Sequence, residues 1–143
     1  MKLLRWVVSP VVVLAIIGFI VWWHVPFSFA GAKLDSWALS AVARAQSQSG
    51  HPLSPEECAL KYHYHGTDYE KEIPKRIEVS SKDLGDGIWR VRIHDPTAED
   101  DSIFESVARI YLQKTPEGHW QPLKAEYVHK ARGRFGWTTK PGT

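Results

Sequence analysis

The chain of 143 residues contains a single cysteine, Cys58. No internal disulfide can form, so any stable domain must be held by packing and hydrogen bonding alone. The expectation for Cys58 itself is a buried thiol that behaves as a small apolar side chain. A Cys58–histidine nucleophile is the catalytic alternative, but nothing in the order of the chain pairs them. Charge imbalance is also slight, with net charge +2 and pI about 8.7. That is too mild to indicate nucleic acid as a partner. G-x-S-x-G, H-E-x-x-H and phosphate-loop patterns are missing, as are internal repeats and low-complexity tracts. Solenoids are excluded, and the familiar hydrolase, zincin and nucleotide-binding signatures are not available to carry an activity. The expectation is a protein that is not an enzyme and requires no cofactor.

Long apolar runs are equally scarce, and only one occurs. Trp6–Val25 carries no Asp, Glu, Lys or Arg. A bilayer core of roughly 30 Å takes about 20 apolar residues in helical form. Ser9 and Pro10 fall in the first turns, where a proline is tolerated. Trp6, Trp22 and Trp23 sit where indole rings mark a membrane interface. The expectation is therefore a single-pass transmembrane signal anchor over residues 6–25. A cleaved signal peptide, ending near Ala30-Gly31-Ala32, is the alternative. Lys2 and Arg5 precede the run, so residues 1–5 are expected in the cytoplasm and the rest outside a cell (inner) membrane, on the periplasmic side.

Beyond a short linker at residues 26–32, one modest domain is expected over residues 33–130, followed by a basic and aromatic tail at 131–143. Leu34, Trp37, Ala38, Ala41, Val42 and Ala45 recur at three- and four-residue spacing, which predicts a helix from Lys33 to Ser49. Gly50 and Pro52 close it. Ser54-Pro55-Glu56-Glu57 carries a cap, an N1 proline and the Glu of a capping box. Leu60, Tyr62 and Tyr64 then alternate with polar residues. One helical turn over 55–58 followed by a strand over 59–66 is the first reading, and a helix over 55–64 is its rival.

Further strands are predicted over Arg76–Ser81, Ile88–Asp95, Phe104–Lys114 and His119–Lys130. In the second of these Trp89, Val91 and Ile93 share one face, and Arg90, Arg92 and His94 the other. In the last, Leu123, Ala125 and Tyr127 are assigned inward. Gly85-Asp86-Gly87 and Thr115-Pro116-Glu117-Gly118 are turn signals. Short turns force an antiparallel meander. The expected fold class is α+β, with the N-terminal transmembrane helix followed by one helix packed on a curved antiparallel meander of about four or five strands. In layout alone this resembles cystatin-like and NTF2-like domains.

Three stretches are candidates for function. On a strand, His63 and His65 point to one face and offer two imidazoles to a metal ion. His51, Glu57, Cys58 and His129 are the candidate third ligands, and two solvent-facing histidines are the plainer alternative. Asp95, Glu99, Asp100 and Asp101 make an acidic loop without the spacing or glycine of a calcium loop. Arg132, Arg134, Phe135 and Trp137 interleave cations with aromatics, a composition suited to an acidic partner or a membrane surface.

With no catalytic constellation, the expected function is a membrane-anchored, extracytoplasmic protein-interaction module. It would serve as an accessory or assembly subunit of an envelope complex, with membrane-resident or periplasmic protein partners and no nucleic acid. A small-ligand or metal-binding module on the concave face of the sheet is the alternative. An exclusion- or immunity-type membrane protein is a third.

Overall fold

The computed structural model describes residues 10–24, 29–98, 103–131 and 136–139. It is α+β: three helices and one open, five-stranded antiparallel sheet. The helices are α1 (Pro10–His24), α2 (Ser36–Gln48) and α3 (Pro55–His63). The strands are β1 (Ala30–Ala32), β2 (Glu78–Gly85), β3 (Ile88–Asp95), β4 (Ile103–Lys114) and β5 (Trp120–Ala131). Their order across the sheet is β1-β5-β4-β3-β2.

The opening stretch corrects the membrane assignment. Among the described residues helix α1 runs from Pro10 to His24, and a proline suits a first turn. Its 15 residues rise only about 22 Å, against a bilayer core of roughly 30 Å. Among the described residues no helix is long and apolar enough to cross a membrane. Trp6 and the side chains of Trp22 and Trp23, expected as interface anchors, lie outside the described residues. The expected orientation also drew on Lys2 and Arg5, which lie outside the described residues.

The segment expected as linker contains a strand. Ala30, Gly31 and Ala32 pair with Tyr127, Glu126 and Ala125 of β5. The stretch weighed as a cleavage site is thus the sheet's short first edge.

Helix α2 starts where Asp35 caps it, its carboxylate accepting from the Trp37 N–H. Ala38, Ala41 and Val42 are buried, whereas Trp37 from the same predicted stripe is 77% exposed. Helix α3 has the expected cap and the full capping box between Ser54 and Glu57. It then runs on to His63, so the rival helix is the one that forms and the strand over 59–66 does not. Cys58, Ala59 and Tyr62 recur at helical spacing and are all buried. That periodicity, started by a strong cap, outweighs the brief alternation at 60–64.

The meander follows the predicted turns. Asp86 adopts φ +54 between Gly85 and Gly87, a left-handed conformation that Asp tolerates in a tight hairpin. Between β4 and β5, Gly118 N–H donates to the Thr115 carbonyl. Val91, Ile93, Ala108, Ile110, Leu112 and Ala125 lie on the face covered by α3, none more than 2% exposed. Two helices, not one, close the core: α2 packs on α3. Both are tied to Trp120, whose carbonyl accepts from Gln46 Nε2 (2.7 Å) and from Cys58 Sγ (3.5 Å). Burial raises the Cys58 thiol to about 12, so it is an inert core side chain.

One inward assignment fails. The register passes from Tyr111↔Lys124 to Leu112↔Pro122, leaving Leu123 as an extra residue on β5. This bulge turns Leu123 outward, and it is 44% exposed.

Candidate functional site

His63 and His65 were expected side by side on a strand. His63 instead ends α3, and His65 follows in the turn beyond it. The His65 ring bridges Asp35 Oδ2 (3.1 Å, from Nε2) and the Tyr62 carbonyl (2.9 Å, from Nδ1). It therefore fastens the start of α2 to the end of α3. His63 turns into the layer between helices and sheet. Its ring stacks on Tyr127 at 5.7 Å between centroids and meets Tyr64 edge-on at 4.5 Å. Burial, aided by the neighbouring His65 and opposed by Asp95, lowers its pKa to about 4. Among the described residues no group of three or more His, Cys, Asp or Glu is placed to hold a metal ion.

His63 does meet one of the other candidate ligands, though not around a metal site. With Ser106 and Ala108 of β4 and Tyr127, Val128 and His129 of β5, it lines a cavity of about 300 Å³. The register explains the meeting: Ser106 lies opposite His129, and Ala108 opposite Tyr127. His129 Nε2 is buried with no hydrogen-bond partner among the described residues. Burial also raises the Tyr127 phenol, to about 12. At neutral pH the His63 ring and the Tyr127 hydroxyl are thus uncharged.

The outer face of the sheet is built quite differently. Lys82, Arg90, Tyr111 and Lys124 form one cross-strand row, and Ser80, Arg92, Arg109 and Glu126 the next. Lys124 pairs with Glu126 at 2.6 Å, and the Tyr111 hydroxyl donates to the same carboxylate at 3.1 Å. Burial pushes the Glu126 carboxyl up, but these hydrogen bonds more than offset it and hold the pKa below the usual value. The Arg109 guanidinium lies 3.6 Å from the centroid of Phe29. Towards the other end of the face lies a partly buried cluster of charges. His94 lies between Glu78 (2.9 Å) and Glu105 (2.9 Å), and Glu105 also binds Lys130 at 2.6 Å. Both nitrogens of His94 are engaged, so this is a clamp and not a free base.

Trp137 packs beside this clamp, its ring 4.7 Å from Lys130 Nζ. His129 and Thr138 exchange backbone hydrogen bonds at 3.0 and 2.8 Å, which fixes the segment against β5. Trp137 is thus half-buried on the sheet. Arg132, Arg134 and Phe135 lie outside the described residues, as do Glu99, Asp100 and Asp101 of the acidic loop. Asp95, counted with that loop, closes β3 instead. It is 6% exposed and accepts from Arg76 Nε at 3.2 Å.

Sequence reasoning did not find Ser106 or the Glu78–His94–Glu105–Lys130 clamp. Neither carries a local signal; both exist only once strand register is set. Compared with known proteins, the chain matches no family model, no curated protein and no solved structure.

Proposed function

We propose that the chain is a non-catalytic protein-interaction subunit, an accessory component of a larger assembly. One observation carries this reading. Helix α1 contains no Asp, Glu, Lys or Arg, and the side chains described on it, residues 11–21, are exposed on every face, Val11 at 71% and Leu14 at 68%. A helix apolar on every side is normally buried, and an exposed apolar surface of this kind marks a place where something else packs. Since α1 is too short to span a bilayer, a protein partner is the cover that fits.

The outer face adds direction to such docking. Arg90 and Arg92, on the row-forming strand β3, form no ion pair among the described residues. Cations of this kind attract and orient an acidic protein surface. In-cell cross-linking of the full chain, followed by identification of the adducts, tests the reading. Discrete protein adducts that disappear in Leu14→Glu/Ile17→Glu are the expected result. A chain that yields no adducts and runs as a monomer at all concentrations would overturn it.

A further inference from the structure

We propose that the cavity between the end of α3 and strands β4 and β5 binds a small uncharged aromatic molecule bearing one hydrogen-bonding group, of the phenol class. The site does not involve α1, so it stands or falls separately from the interaction reading.

Size sets the first limit. A cavity of about 300 Å³ is at the lower end of small-molecule pockets, which suits one ring or two small ones. Charge sets the second. No Asp, Glu, Lys or Arg lines it, and stripping water from an ion without a counter-charge is costly. With the pKa of His63 lowered to about 4 and that of the Tyr127 phenol raised to about 12, neither ring supplies that counter-charge at neutral pH. An anionic or cationic ligand is therefore disfavoured.

Hydrogen-bonding capacity sets the third limit. Buried polar atoms in folded proteins are almost always paired. His129 Nε2 is not, and Ser106 lies directly opposite His129 across the ladder, where its hydroxyl can add a second polar contact. One hydroxyl on a ligand satisfies such a nitrogen, since a phenol both donates and accepts. Ile103, Val107, Ala108 and Val128 complete the lining, with the stacked His63–Tyr127 pair as an aromatic side. Such walls suit the edge and face of a ring. Two imidazoles without a third ligand fall short of a zinc site.

The test titrates the isotopically labelled full chain with phenol, toluene and benzoate, following backbone amide shifts. Phenol is expected to saturate at one equivalent in the millimolar range or tighter, with the largest shifts at Ser106 and His129. Toluene should bind about tenfold more weakly for want of the hydrogen bond, and benzoate should not saturate. His129→Phe should remove the preference for phenol over toluene while leaving toluene binding intact. Without ligand, that variant should be at least as stable as the parent, because the unpaired nitrogen is gone. Ala108→Phe should fill the space and abolish both; the His129→Phe arm decides the matter if the larger substitution prevents folding. Absence of saturable phenol binding, benzoate binding equal to phenol, or an unchanged preference in His129→Phe would each overturn the proposal.

Discussion

The two faces of one sheet are made by alternate residues of the same strands, yet they do different work. On the helix-covered face, Val91, Ile93, Ile110 and Leu112 are almost fully removed from water. On the outer face, their immediate neighbours Arg90, Arg92, Arg109 and Tyr111 line up cations around a tyrosine. Burial of apolar surface contributes stability roughly in proportion to area, whereas partly solvated charge contributes little. The first face therefore holds the fold and the second is free to vary with function. The outer face is not uniform, however. Around Glu105 it becomes a buried ionic clamp, with Lys130 only 4% exposed.

The sharpest way to break this contrast is to truncate one residue on each side of a single strand pair. Ile110→Ala removes a side chain with no exposure and should cost about 3–4 kcal/mol, the usual toll of an unfilled core site. Arg92→Ala, one row away on the other face, should change stability by less than about 0.5 kcal/mol. Urea unfolding of both variants measures the difference; similar midpoints would contradict the division of labour.

Within the outer face the same contrast recurs on a smaller scale. Glu105→Gln withdraws the carboxylate shared by His94 and the buried Lys130. Weakening the ion pair of a buried ammonium should lower stability by about 2–3 kcal/mol. Glu126→Gln removes an ion pair whose lysine side chain is 56% exposed, and should cost less than about 0.5 kcal/mol. Thermal unfolding of the two isosteric variants separates clamp from surface pair.

What could be read in advance depended on how local the signal was. The β3 strand was legible because Ile88–Asp95 alternates without interruption, and both hairpins announce themselves through Gly87 and Gly118. The Ser54 cap was equally plain. About four or five strands were expected and five occur among the described residues, but the set differs: residues 59–66 are helix and turn, and Ala30–Ala32 is strand. Three alternating residues are too few to separate strand from helix, and a three-residue edge strand of small residues has no periodicity at all. The cavity was out of reach for another reason. His63 was sought beside His65, its sequence neighbour, yet the meander sets it against Ser106 and His129.

A titration examines the helix-covered face from within. His63 ionises near 6.5 when unfolded, while burial holds it down to about 4 in the fold. The unfolded chain therefore binds more protons between these values, so stability must fall as pH drops from about 6.5 towards 4. The ring is not wholly screened from water, so about 2 kcal/mol is the expected loss over that window. His63→Phe keeps the ring and should flatten the profile between pH 6.5 and 5. An unchanged slope would show that another group on this face carries the titration.

The smallest effect concerns Leu123, which simple alternation assigns to the covered face. Pro122 supplies the reason it is not there. A proline has no N–H for the ladder, and within sheets it is confined to edges and bulges. Here it immediately precedes the extra residue. Alternation on β5 consequently changes phase, with Trp120 and Pro122 buried before the bulge and Ala125 after it. A leucine truly inside would not tolerate a charge, whereas at 44% exposure Leu123→Lys should move the unfolding free energy by less than about 0.5 kcal/mol. The matched substitution Leu112→Lys, at a neighbouring position with no exposure, should abolish cooperative unfolding, because it forces an unpaired ammonium into the core. Equal sensitivity at the two positions would mean that the bulge is absent in solution and that β5 runs in the unbroken register its sequence suggests.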